Sequence, residues 1–201
     1  MATNWTLTRV TSPANLPVSL EEVKKHLRLS EADTTHDSHL ELLIEAATER
    51  LEDDIDRQII TANYAQSQLC WSTEDNQYGS IKLYKRAITD IVTVKYYDAD
   101  GVQQILDPAS YVFDAGRTRL WPAAGQQWPT HSSEQNSNMV EIVFTAGYGT
   151  AGTTVPRSMK AAILLCVGKW FFDPAQEGSA LHSQELAYER LVSTLTRSTY
   201  P

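Results

Sequence analysis

The sequence predicts an α+β fold in which a helical core is interrupted by an antiparallel β subdomain. Two observations predict it. Apolar residues recur every three or four positions in residues 19–57 and are dense in 156–172, whereas residues 61–145 follow a period of two with turn signals between short runs. The core therefore comprises two N-terminal helices plus an apolar C-terminal helix, and the strands are inserted between them.

The first helix has complete start signals. Residues 1–15 are polar and are expected to be extended. Ser19 and Glu22 stand at the positions of a capping box, and Val18 and Val23 at those of a hydrophobic staple. The helix is expected to begin after Ser19 and to end near Leu29.

A second, longer helix is predicted from Asp37 to about Arg57. Its apolar positions share one face: Leu40, Leu43, Ile44, Ala47, Leu51 and Ile55. The opposite face is acidic: Glu41, Glu45, Glu49, Glu52 and Asp56. We interpret this acidic face as solvated, or as meeting a basic partner.

Seven strands are predicted in the middle of the chain. They are Tyr64–Trp71, Ile81–Tyr84, Ile91–Tyr97, Val102–Leu106, Tyr111–Asp114, Arg119–Trp121 and Met139–Thr145. Asp100-Gly101 indicates a hairpin, because such turns require positive φ. The polar stretch 122–138 predicts a long exposed loop.

The C-terminal part predicts an apolar core helix and a further helix. Val155-Pro156 is expected to start the core helix, which reaches about Phe172 and stops at Asp173-Pro174. A last helix is predicted for residues 183–195. We expect a main domain over 1–174, with a helical core of 16–60 and 155–173 and a β insertion of 61–147. Residues 175–201 would form a C-terminal arm or helix.

Composition and the pattern of the N-terminus argue against several classes of protein. The net charge of −8 and pI of about 5.1 argue against a surface that tracks phosphates, although not against one that lines a DNA path. The two cysteines, Cys70 and Cys166, are expected to be buried and reduced. The N-terminus lacks the pattern of a signal peptide, and the longest apolar run is too short for a bilayer. We therefore expect a soluble protein with no membrane contact.

Two short motifs suggest ligands, but their surroundings favour structure. Residues 147–152 read G-x-G-x-x-G, yet no parallel strand follows the next helix, so a flexible link is favoured over a dinucleotide site. Asp98 to Gly101 begins like a calcium loop, but the twelfth position is Ala109, so a hairpin turn is favoured.

Other polar groups give no catalytic or metal constellation. His36 and His39 have no third ligand at a recognisable distance, and the run of acids at 52–56 is interpreted as a solvated face. Basic residues such as Lys82 and Arg119 look dispersed among strands, where they can protect sheet edges. We predict no enzyme, no catalytic residue, no cofactor and no metal.

Several segments together resemble the head–tail connector (adaptor) proteins of long-tailed double-stranded DNA phages. The main one is 16–27, Leu-Pro-Val-Ser-Leu-Glu-Glu-Val-Lys-Lys-His-Leu, followed by the helix at 40–57. The others are 91–98 with Asp100-Gly101, 106–111, 144–149, and Val155-Pro156 with 161–165. Their order and spacing cover about residues 16–174, whereas 122–138 and the part after Pro174 match poorly.

The resemblance implies a structural virion protein of the neck, assembled in the host cytoplasm. It implies a ring of about twelve copies that joins the portal protein to the next connector or tail-completion protein. DNA would pass through the centre without sequence-specific binding, as an acidic channel permits.

The candidate contact residues lie in two places. Leu186, Tyr188, Leu191 and Leu195 form a stripe without an obvious partner in the chain, and are predicted to reach the portal or a neighbour. Trp121 and Trp128, in or beside the loop 121–138, are candidate loop contacts. They support the alternative function, a tail-associated or host-surface binding module. A third possibility is an enzyme that uses the glycine-rich link as a phosphate site.

Overall fold

The protein folds into two compact units, each described here by itself. The structure, a computed structural model, describes residues 5–71, 79–130, 139–172 and 182–197. One unit, the helical unit, holds residues 13–60 together with those from 148 onward. The other, the β unit, holds residues up to 12 together with 61–147. The predicted α+β class, with its helical core and antiparallel β part, is confirmed.

Four α-helices build the helical unit. They are α1 (Leu20–Leu27), α2 (Asp37–Ile55), α3 (Arg157–Phe172) and α4 (His182–Arg197). α3 packs against each of the other three helices, as expected of a core helix. The buried apolar side chains form one cluster, which includes the fully buried Val18, Leu40, Ile44 and Ile163.

The helix ends follow the sequence signals closely. Ser19 Oγ accepts from Glu22 N at 3.1 Å and Glu22 Oε2 accepts from Ser19 N at 2.9 Å, so the predicted capping box is confirmed. Arg28 and Asp56 adopt the left-handed conformation and end α1 and α2. The predicted stop at Asp173-Pro174 lies outside the described residues.

The β unit contains a five-stranded and a three-stranded antiparallel sheet. The strands are β1 (Trp5–Arg9), β2 (Ala62–Gln68), β3 (Ile81–Lys82), β4 (Ile88–Tyr97), β5 (Gln103–Ile105), β6 (Tyr111–Asp114), β7 (Arg119–Pro122) and β8 (Val140–Ala146). The orders are β1-β2-β8-β4-β5 and β3-β7-β6. Short 3₁₀ turns occur at Pro108–Ser110 and Gly152–Thr154.

The N-terminal segment is extended at residues 5–9, as expected, and it also pairs with a neighbouring strand, which was not predicted. It forms β1, an edge strand whose Trp5 and Arg9 pair with Gln68 and Tyr64 of β2. The five-stranded sheet is therefore completed from outside the predicted insertion. This pairing joins positions about 60 residues apart, and only tertiary structure provides it.

The hairpin between β4 and β5 forms as predicted. Gly101 has φ of +76°, and the Asp98 carboxylate accepts from Asp100 N at 3.0 Å and from Val102 N at 2.9 Å. Gln104 also donates to Asp98, and these hydrogen bonds hold the pKa of that carboxyl below its usual value. Asp98 is thus a turn-forming residue.

Candidate assembly surfaces

α4 is held on the helical unit by a polar cluster. Glu185 Oε1 lies 2.6 Å from Arg50 Nη2 on α2, and Glu185 Oε2 lies 2.6 Å from Lys169 Nζ on α3. Tyr188 OH donates to Asp54 Oδ2 at 2.6 Å, and the Arg50 guanidinium lies 4.5 Å from the centre of the Tyr188 ring. α4 is therefore ionically bound to both neighbouring helices.

The same cluster shifts the protonation equilibria of its members. The hydrogen bond from Lys169, together with that from Arg50, lowers the pKa of Glu185 although burial opposes it. Burial and the bond to Asp54 raise the pKa of Tyr188, so the phenol stays protonated and can donate. Burial raises the pKa of the Cys166 thiol to about 11, which keeps this cysteine protonated and unreactive.

The predicted contact stripe on α4 is divided between core and surface. Tyr188 and Leu195 are 3% and 8% exposed and belong to the helical core, and Leu191 packs against that core. Leu186 is 40% exposed. Most of the stripe therefore packs against the core of its own chain, so the expectation that it has no partner there is wrong. A contact with the portal or a neighbour stays a prediction, and Leu186 is the residue of the stripe that is exposed enough to make it.

The two tryptophans of the predicted loop are half-buried in the β unit. Trp121 lies in β7. Trp128 stacks on Trp71 with ring centres 4.9 Å apart and parallel planes, and its indole N–H donates to the Gly79 carbonyl. This packing gives Trp128 a structural role, while surface recognition by the loop stays a prediction. Loop residues 131–138 lie outside the described residues.

The glycine-rich link is closely packed. A Cβ at Gly152 would lie 2.7 Å from the Pro17 carbonyl oxygen, and one at Gly149 would lie 2.4 Å from Thr154 Oγ1. Asn15 Nδ2 also donates to the Thr150 carbonyl at 2.8 Å. The link follows an antiparallel strand, β8, and it packs on the chain that precedes α1. Gly152 allows close approach of the Pro17 backbone, and Gly149 leaves room for the Thr154 side chain. The flexibility expected of the link stays a prediction.

One acidic residue of α2, Glu52, is buried although it was predicted to be solvated. Glu52 is 6% exposed, and its Oε1 accepts from Gln58 Nε2 at 2.7 Å and from Ile59 N at 2.9 Å. Its assignment to a solvated face is wrong, because the chain that leaves α2 turns back and uses this carboxylate to satisfy its amide. Glu41, Glu45, Glu49 and Asp53 are exposed as predicted.

The histidines and cysteines show no metal-binding arrangement in the described part of the chain. Residues 5–71, 79–130, 139–172 and 182–197 contain no group of three potential ligands. His36 and His39 lie beside Phe171, with ring centres 5.5 and 6.3 Å away. Both cysteines are free, but only Cys166 is buried as expected, since Cys70 is half-buried.

Among the helices within the described ranges, none is both long and apolar enough to span a bilayer.

Two comparisons with known proteins find similar proteins, one by sequence and one by structure. Residues 17–110 match the family model described as phage gp6-like head-tail connector protein. Among curated proteins, no match to the sequence is found.

Solved structures of similar fold come from gene transfer agent (GTA) particles. A chain in the neck of the native particle, computed with C12 symmetry, matches with a TM-score of 0.71 and 21% identity over 94% of each chain. A chain in the neck of the empty particle, computed with C6 symmetry, matches with 0.71 and 22% identity over 92% of this chain and 94% of that one. A chain of the native virion gives 0.70 and 21% over 90% and 94%.

At such identities the structural matches establish the fold. The family model adds the sequence relationship over the first half of the chain, where the motif at 16–27 lies. The resemblance to head–tail connector proteins is therefore confirmed, by the family model for residues 17–110 and by the neck structures for the fold.

Proposed function

We propose that this protein is a structural connector that forms a ring of about twelve copies in the neck of a phage-like particle. The ring joins the portal to the next connector or tail-completion protein, and DNA passes through it. The observation that carries the proposal is the match of nearly the whole chain to a chain of a neck computed with C12 symmetry. The ring assembles in the host cytoplasm and acts in the virion.

The chemistry of the chain supports a structural role. Two of its acidic groups have internal partners: Glu52 accepts from the chain that leaves α2, and Glu185 pairs with Arg50 on α2 and Lys169 on α3. Its glycine-rich link packs against residue 17. Glu52 and the glycine-rich link therefore have structural uses, and we propose that the protein is not an enzyme.

An acidic chain is suited to surround moving DNA. With a net charge of −8 per copy, a ring repels phosphates and offers few sites at which DNA would be retained. We propose that DNA is guided by shape and repulsion, with no sequence-specific contact.

The test is co-production with the portal protein encoded in the same genome. Native mass spectrometry and electron microscopy of the purified complex should show a ring of this chain on the portal. A chain that stays monomeric in the presence of its portal, and is absent from particles, would overturn the proposal.

The C-terminal contact is tested by a pair of substitutions on α4. We propose that residues 175–201 reach the portal or a neighbouring copy through the exposed Leu186. Leu186→Asp should reduce portal binding at least tenfold while the fold stays intact. The matched variant Glu189→Gln, also exposed on α4, should bind normally. Normal assembly of Leu186→Asp would contradict this contact.

A further inference from the structure

The β unit carries a patch of cations set around stacked aromatic rings. Trp5 stacks on Tyr84 with ring centres 3.9 Å apart, and Lys82 Nζ lies 4.9 Å from the centre of the Tyr84 ring. Lys85 Nζ lies 5.5 Å from the centre of Tyr64, which pairs with Arg9. We call these residues, with the neighbouring exposed Arg86, the basic-aromatic patch.

The patch is assembled from segments far apart in the sequence. β1 supplies Trp5 and Arg9, and β2 supplies Tyr64. Residues 82–86 cross beside them, because Gln66 of β2 bonds both the Lys82 carbonyl and the Tyr84 amide. Cations that look dispersed in the sequence thus lie together in the fold.

The helical unit carries an acidic surface on α2, opposite in charge to the basic-aromatic patch. Glu41, Glu45, Glu49 and Asp53 follow each other at four-residue spacing and are exposed. Leu42 lies among them and is 60% exposed. We call this surface the acidic α2 face. Like charges at this spacing disfavour the isolated helix, and a cationic partner would relieve that repulsion.

The charge difference extends to the whole of each unit. Among the described residues, the helical unit has 14 acidic and 10 basic side chains, and the β unit has 6 acidic and 7 basic ones. Identical copies that carry −8 each repel one another unless opposite charges meet where they touch.

We infer that the basic-aromatic patch of one copy binds the acidic α2 face of the next copy in the ring. The inference rests on the proposed ring. A cyclic assembly of identical chains joins two different surfaces of the same chain, head to tail, and these surfaces must complement each other. Here charge complements charge, and the exposed Leu42 meets an aromatic surface, which gives an apolar centre with a charged rim.

A DNA partner is less well matched to the patch. Trp5 and Tyr84 cover one face of each other, and Lys82 and Lys85 lie over tyrosine rings. These rings are therefore less open to the stacking that holds single-stranded bases. The helical unit of the same chain, in contrast, presents an acidic surface in every copy.

Two charge-reversal variants test the inference. The first, Glu41→Lys/Glu45→Lys/Asp53→Lys, makes the α2 face basic. The second, Lys82→Glu/Lys85→Glu/Arg86→Glu, makes the patch acidic. The control Glu31→Lys/Asp100→Lys alters exposed acids outside both surfaces. Each is produced with the portal protein, and ring formation is measured by native mass spectrometry.

Each reversed variant alone should lose the ring, because it presents two surfaces of the same sign. An equal mixture of the two should restore it with alternating copies, since each then meets an opposite charge on both sides. The restored ring also shows that both variants fold. The control should form rings like the unaltered chain.

The outcomes separate this inference from the proposed function. Rings formed by either variant alone, or no rescue in the mixture, would overturn the inference and leave the ring function standing. Failure of the unaltered chain to form a ring removes both. If the second variant still forms rings but binds a short DNA duplex more weakly in fluorescence anisotropy, the patch contacts DNA and the inference is wrong.

Discussion

Arg50 of α2 and Glu185 of α4 meet at 2.6 Å, across 135 positions of sequence. The other oxygen of the same carboxylate lies 2.6 Å from Lys169 of α3. The carboxylate is 21% exposed, so it is only partly screened by water. One side chain therefore fixes where the C-terminal helix rests.

Glu185→Gln should loosen α4. The substitution leaves the half-buried Lys169 without its counter-charge and Arg50 with only Asp54, 3.7 Å away, which costs about 1–3 kcal/mol. Amide hydrogen exchange in α4 should accelerate, and the urea midpoint should fall. Glu189→Gln, exposed on the same helix, is the matched control. Unchanged exchange in α4 would show that apolar packing alone holds it.

The same ion pairs give a pH dependence with a defined sign. Lys169 and Arg50 lower the pKa of Glu185 in the folded state. The ionised carboxylate therefore contributes to the free energy of unfolding at pH values above its pKa in the unfolded chain, about 4.3. This contribution is lost as the pH falls through the lower pKa that Glu185 has in the folded protein. The stability difference between the unaltered protein and Glu185→Gln should therefore shrink below about pH 4. A difference that stays constant from pH 7 to 3 would contradict this assignment.

Glu52→Ala should destabilise the helical unit more than a substitution at an exposed acid of α2, because Glu52 is buried. The change leaves the buried Ile59 N without its acceptor, at a cost of about 1–3 kcal/mol, whereas Gln58 Nε2 loses one acceptor and still donates to the Ile60 carbonyl. Asp53→Ala, exposed on the same helix, is the control and should be nearly neutral. Denaturant unfolding measures both. Equal stabilities would mean that water replaces the carboxylate.

Two glycines of the helical unit should respond with opposite signs. Gly152→Ala places a Cβ 2.7 Å from the Pro17 carbonyl oxygen, so the backbone must shift, at a cost of about 1–3 kcal/mol. Gly168→Ala lies in α3 with 3.5 Å to His26 Nε2, an ordinary contact, and gains up to about 1 kcal/mol of helix propensity. Thermal melts should show the first lower and the second equal or higher. The reverse order would refute the packing described for the link.

Trp128→Ala separates a structural role from surface recognition. Loss of the stack on Trp71 and of the bond to Gly79 should destabilise the β unit by about 3 kcal/mol. The coupled near-ultraviolet signal of the two indoles should vanish. A variant that keeps its stability but loses binding on a glycan array would instead support the host-surface alternative. Trp121→Ala, in β7, is the variant with which the stability and the glycan binding of Trp128→Ala are compared.

Local signals in the sequence predicted most elements well. Tyr111–Asp114 is a strand with the predicted bounds, and α2 begins at the predicted Asp37. The capping box at Ser19 is predictable because both of its partners lie within one helical turn. Where the predictions failed, the deciding contact is distant in the sequence. Trp5 becomes part of a strand because β2 lies beside it.

The two candidate surfaces also differ in whether local sequence or distant contacts create them. The acidic α2 face can be read from a four-residue spacing, since a helix alone places those side chains together. The basic-aromatic patch cannot, because Arg9, Tyr64 and Lys85 are brought together by strand pairing.

The sequence by itself determined the order of the helices and of the strands from β2 onward, the capping box at Ser19, the hairpin at Gly101 and the likeness to connector proteins. These depend on neighbours within a few residues, or on motifs in a fixed order. Only the tertiary structure decided that β1 completes the sheet, that Glu52 is buried and that Tyr188 and Leu195 join the core. The reason is physical: burial and cross-strand pairing depend on which distant segments pack together, and local periodicity carries no information on the partner.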